Sequence, residues 1–136
     1  METEEPVKNR ECEPNPLMAA AAFLGFLGVA LGAFGAHALA EQLEAIDRVA
    51  TWETAVFYHL LHAVALLALS VRRPSAYQVG VLWIVGVIIF SGSLYVLCLT
   101  GATWLGAVTP FGGLAFLAGW GWLGFFACCR KSRESF

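Results

Sequence analysis

Two histidines three residues apart, His59 and His62, lie inside an uncharged stretch that runs from Ala55 to Val71. They are the side chains here with the widest chemical reach. Both imidazoles could serve one metal ion, or one could be an axial haem ligand. They could equally pass protons, or hydrogen-bond across helices to Ser91, Ser93 or a backbone carbonyl. Hydrocarbon offers an ionisable group no partner, so at membrane depth it turns toward protein or a water-filled cavity. On a helical wheel of about 100° per residue, His59 and His62 share a face with Ala55, Tyr58 and Leu66. Val56, Phe57, Leu60, Val64 and Leu67 form the opposite, lipid-directed face. Tyr58, His59, His62, Ser91 and Ser93 are thus the candidate polar intramembrane site.

A second pair lies nearer the end of the same segment. Glu53 and His37 fall at similar depth, where they either form a charge-assisted hydrogen bond or stand solvated, with Glu53 favouring the helix dipole from the first turn. His37 is the natural third metal ligand by type. Depth argues against it, since His59 lies roughly 10 Å or more further along its helix at 1.5 Å per residue.

The elements that must position these groups are membrane helices. The chain has 136 residues, 59% hydrophobic and 13% charged, which is outside the soluble range. Four nearly uncharged stretches approach the ~20 residues a span requires: 17–36, 52–71, 79–99 and 110–129. Leu17 to Ala36 carries a stripe of small residues, Gly25, Gly28, Gly32 and Gly35 with Ala21 and Ala36, that lets a second backbone approach; Phe23, Leu27 and Phe34 take the lipid side. Gly112, Ala115 and Gly119 give the fourth helix a similar face. In the third, Gly86, Ser93 and Thr100 recur every seven residues.

Leu39, Leu43, Ile46 and Ala50 predict a short amphipathic surface helix between the first two spans. Trp52 reads as an interface anchor, and Trp120, Trp122, Phe125 and Phe126 as an aromatic belt. Thr109 and Pro110 read as an N-cap and first-turn proline. Residues 1–16 read as a flexible polar tail and 130–136 as a basic one. The first span is too long for a signal-peptide core and lacks a convincing cleavage site. The fold class is therefore all-α: a four-helix transmembrane bundle packed through the small-residue faces of its first and fourth spans.

Seven of the eight Lys and Arg residues, Lys8, Arg10, Arg72, Arg73, Arg130, Lys131 and Arg133, share one side of such a bundle, and Arg48 lies on the other. Both termini are expected on the cytoplasmic or equivalent inner side. No basic stripe points to nucleic acid. The four cysteines have neither zinc spacing nor a disulfide framework. Cys128 and Cys129 border basic residues, a setting for palmitoylation or simply for small apolar residues closing a helix. Gly119 to Gly124 matches GxGxxG, but no strand precedes it, so it carries no dinucleotide argument. No catalytic signature, cofactor or metal set is expected.

The segments GAFGAHAL from Gly32, ETAVFYHLLHAVALLAL from Glu53, FSGSLYVLCLTG from Phe90 and LGAVTPFGGLAFLAGW from Leu105 resemble, in order and spacing, the family of small membrane proteins known as domain of unknown function 423. Its members include bacterial inner-membrane proteins and the animal transmembrane protein 256-like proteins. The resemblance implies four membrane helices and brings no established activity, substrate or cofactor. The expected function is a non-enzymatic accessory, assembly or structural membrane protein, with the bilayer and either a second copy or another membrane protein as partner. The alternatives are a small transporter or channel using Tyr58, His59 and His62, and a haem or metal protein using the two histidines.

Overall fold

The computed structural model describes residues 14–72 and 76–131, with side chains to Cys128. The N-terminal tail through residue 13, the basic turn at 73–75, Cys129 with its lipidation and residues 132–136 lie outside this description. The described residues form five helices: α1 (Pro16–Ala36), α2 (Ala40–Ala45), α3 (Val49–Arg72), α4 (Tyr77–Thr100) and α5 (Leu105–Lys131). All except α2 are long and apolar enough to cross a membrane, so the four expected spans are there.

The boundaries follow local chemistry. Asn15 caps α1 by accepting the Met18 N–H at 3.1 Å, and Pro16 occupies the first helical position, where its missing N–H costs nothing. Asn15 Nδ2 also donates to the Ser70 carbonyl at 3.1 Å, tying the start of α1 to the end of α3. Gly101, at φ 73°, closes α4 in the left-handed conformation and returns its N–H to the Leu97 carbonyl, a termination that glycine adopts without steric penalty.

Three boundary expectations are corrected. The surface helix is only Ala40–Ala45; Leu43 is buried, but Ile46 and Ala50 are exposed, because Asp47 takes a positive φ of 53° and breaks the periodicity. The next helix consequently starts at Val49, before Trp52. Thr109 is no N-cap: α5 begins at Leu105, after i to i+3 bonds from Leu105, Gly106 and Ala107 wind it up, leaving Pro110 inside the helix. Proline there lacks the N–H that would reach the Gly106 carbonyl. Thr109 instead turns its hydroxyl to the Leu105 carbonyl at 3.1 Å.

The central pair is α3 and α4; α1 packs mainly on α3 and α5 on α4. The two small-residue faces therefore meet inner helices rather than each other. Gly28 and Gly32 receive Leu60 and Val56 of α3, so those two side chains pack against α1 instead of facing lipid. Gly25 meets nothing within 4 Å. On the other side, Gly112 lies against the backbone of Phe90, Gly119 against the Trp83 indole, and Gly86 of α4 against the Phe116 ring. Phe57, Val64 and Leu67 remain exposed, as a lipid-facing strip requires.

Candidate functional site

Helix geometry sends His59 and His62 to different neighbours although both face inward. Residues three apart are separated by about 60° around the axis, enough for α1 and α4 to take one ring and α4 and α5 the other. Both are deeply buried, His59 at 4% and His62 at 2% exposure.

His62 is fully engaged. Its Nδ1 lies 2.8 Å from the Tyr58 carbonyl one turn back, and its Nε2 accepts the Trp120 indole N–H from α5 at 3.2 Å. A carbonyl can only accept and an indole N–H can only donate, so the ring is held as the Nδ1–H tautomer. Phe116 stacks on it, with centroids 3.5 Å apart and planes 8° from parallel. Trp83 and Trp120, 4.6 Å apart, close the aromatic surround. Trp120, one of the belt candidates, leaves much of its ring exposed and turns its indole N–H into the protein. Nothing in its local spacing announces the cross-helix bond, which forms because Gly119 lets α5 settle onto Trp83.

His59 is half engaged. Its Nδ1 lies 3.3 Å from the Tyr95 hydroxyl of α4, while its Nε2 has no hydrogen-bond partner. Tyr95 carries one proton and has no other hydrogen-bond partner among the described residues, which favours donation to Nδ1 and leaves the histidine proton on Nε2. The Tyr95 ring packs on Trp52, 4.8 Å between centroids. Trp52, expected as an interface anchor, is only 3% exposed; it donates Nε1–H to the Leu31 carbonyl of α1 at 3.1 Å. Its indole occupies the space a side chain at Gly35 would need.

The remaining candidates separate from the histidines. Ser93 and Thr109 oxygens lie 2.8 Å apart, bridging α4 and α5, and each also reaches a carbonyl of its own helix, Phe90 and Leu105 respectively. Ser91 is buried with an unpartnered hydroxyl. Neither serine bonds a histidine; of the expected partners only a backbone carbonyl is found, that of Tyr58 on the same helix as His62, and across helices Tyr95 and Trp120 take the places expected of the serines. A tyrosine in the last turns of α4 was the available signal for the first. Tyr58 is partly exposed, its ring packed on Phe90 with centroids 4.7 Å apart. His37 and Glu53 are both exposed, with no hydrogen bond between them among the described residues; the linker is held by Leu43 and Trp52 instead. No group of three His, Cys, Asp or Glu side chains among the described residues could hold a metal ion, and of the two buried imidazoles only that of His59 leaves a nitrogen unengaged.

Beside His59 a cleft of about 390 Å³ opens between α1 and α4. His59 and Tyr95 line it together with Leu24, Leu27, Ile84 and Ile88.

A family model described as protein of unknown function (DUF423) matches residues 31–113. The chain is similar to a UPF0382 inner membrane protein of Escherichia coli strain K12, YgdD, at 41% identity over 106 residues, 74% of this chain and 79% of the relative. It is similar to the Bacillus subtilis membrane protein YwdK at 41% identity over 101 residues, 69% of this chain and 80% of the relative. A UPF0382 membrane protein of Staphylococcus haemolyticus is 43% identical over 100 residues, covering 69% and 80% respectively. No solved structure matches the chain significantly.

Proposed function

The chain belongs to the family of membrane proteins of unknown function DUF423, and from that premise we propose that it is a non-enzymatic accessory or assembly protein, acting by helix contacts with another membrane protein or a second copy of itself. The observation that supports this reading most is the engagement of His62, whose two ring nitrogens are both taken up by the protein's own groups. The side-chain hydrogen bonds that cross between membrane helices form separate pairs, His59 with Tyr95, His62 with Trp120, and Ser93 with Thr109. A proton or solute path needs a continuous line of exchangeable groups, and a catalytic site needs groups free to change partners. Polar pairs that bind helices together serve neither purpose, and they stabilise the shape that a partner recognises.

The outer helices are where that partner would dock. Phe23, Phe26 and Phe34 on α1, and Phe111, Leu117 and Phe125 on α5, are well exposed. Extraction from native membranes in a lipid-preserving polymer, followed by mass spectrometry of the intact particle, tests the reading. A second protein or a second copy at fixed stoichiometry is expected; a solitary monomer overturns it.

We further propose that both termini face the cytoplasm or the equivalent inner side. The reading is supported by the Asn15 bond to Ser70, which sets the start of α1 level with the end of α3 and its Arg72, together with the bias of Lys and Arg in the sequence that the positive-inside rule reads. Labelling of a cysteine introduced next to Glu53 by an impermeant reagent in intact cells, with one at residue 8 protected, is the expected pattern. The reverse pattern refutes this orientation.

A further inference from the structure

We propose that the groove between α3 and α5 holds one anionic phospholipid, with its phosphate on Arg72 and part of one acyl chain lying along the two helices. This needs neither the accessory role nor the assigned sidedness.

The groove follows from side-chain size and spacing. Ala65, Ala68, Leu69 and Arg72 recur at intervals of three and four, which aligns them on one face of α3. Two of the three apolar side chains are alanines, too short to fill the gap. Across from them, Leu123 and Ala127 follow Trp120 on α5, and Trp83 of α4 lines the groove as well. The flanking helices each pack on α4, and the Trp120 bond to His62 joins them at depth. From there to Arg72 a cleft of about 370 Å³ lies open between them.

The order of polarity along this groove selects its occupant. Arg72 is the last residue of α3 and is exposed, and α5 ends on the same side with Arg130 and Lys131. Ala65 lies seven residues deeper, about 10 Å at 1.5 Å per residue, and every lining residue other than Arg72 is apolar or aromatic. A cation at the surface above a dry wall matches a phosphodiester that carries a hydrocarbon chain. The guanidinium presents a planar fork of donors to phosphate oxygens, and basic pockets between membrane helices recurrently bind anionic headgroups. The acids of the described residues, Glu41, Glu44, Asp47 and Glu53, all lie in α2, the linker after it or the first turns of α3. They are at the opposite end of the bundle and leave Arg72 to the lipid. Charge also sets this groove apart from two other clefts. The one between α1 and α3 is rimmed by Glu44 and Glu53, which repel phosphate, and the one between α1 and α4 has no charged lining residue.

The test is mass spectrometry of the full-length chain released from nanodiscs that hold equal phosphatidylglycerol and phosphatidylcholine of the same acyl composition. One retained phosphatidylglycerol per chain, favoured over phosphatidylcholine, is expected. Arg72→Gln should lower that preference about fivefold, the worth of one basic residue against an anionic lipid, whereas Arg133→Gln and Arg48→Gln should leave it unchanged. Ala68→Phe, at an exposed position, fills the groove and should remove the retained lipid of either class; Ala127→Phe does the same from α5 and serves if the first variant fails to fold. Equal retention of the two lipids overturns the proposal. So does an equal loss on Arg133→Gln, which would make the attraction a property of the whole basic end, and so does retention unchanged in a folded groove-filling variant.

Discussion

The two flanks of the α3–α4 pair are built differently. On the α5 flank, Gly112 lies against the Phe90 backbone, Gly86 and Gly119 receive Phe116 and Trp83, Ser93 meets Thr109, and His62 has both nitrogens bonded under a stacked ring. On the α1 flank, contact is firm at the ends, through Asn15 to Ser70 and Trp52 to Leu31. Its middle contains a cleft and a half-bonded His59. Two histidines of equal burial thus have opposite standing. Burial shows that a polar group has left the lipid; only its unspent bonds show whether it has anything left to offer.

The sharpest way to test the contrast is Gly112→Ala. A Cβ there would lie 2.8 Å from Phe90 Cα and closer still to its amide nitrogen, and backbone atoms cannot swing away. A loss of about 3 kcal/mol is expected, at the upper end of overpacking costs, read from reversible unfolding in mixed micelles. A loss below about 1 kcal/mol would mean the α5 flank is as yielding as the α1 flank.

The histidines supply the next contrast. His62→Leu leaves the Trp120 N–H unpaired and removes the stacked partner of Phe116; about 2 kcal/mol of destabilisation is expected from one cross-helix bond and the ring packing. His59→Leu removes one bond of 3.3 Å together with an unmade one, and should change stability by less than about 1 kcal/mol. Equal losses at the two positions would break the comparison. Trp120→Phe follows in size. It keeps the ring and removes the N–H, so about 1 kcal/mol is expected, and ¹⁵N NMR of His62 should report an unbonded Nε2 on a ring still protonated at Nδ1.

The sequence made the four spans legible because uncharged runs of span length have few other uses in a folded chain. The inward direction of His59 and His62 followed from the cost of imidazole in lipid. Their partners were not legible. Tyr95 and Trp120 reach the rings through tertiary placement, and an apolar helix with small residues on several sides does not declare which side packs. Thr109-Pro110 misled for a related reason. The pair fits a helix start, yet the helix had already begun at Leu105, and the hydroxyl that would have capped it crosses to Ser93 instead.

The smallest expected effects lie within the α1 stripe, where Gly25 and Gly28 look alike in sequence. A Cβ at Gly28 would come within 2.6 Å of Leu60 Cδ2. That atom ends a flexible side chain, so Gly28→Ala should cost no more than about 1 kcal/mol, partly offset by the better helix propensity of alanine. At Gly25 a Cβ would meet nothing within 4 Å, and Gly25→Ala should be neutral or stabilising by a few tenths of a kcal/mol. Unfolding of the two variants side by side in the same micelles separates them. A clear loss at Gly25 would mean that its open side is covered in the membrane by something outside the chain, which would locate the partner-binding face on α1.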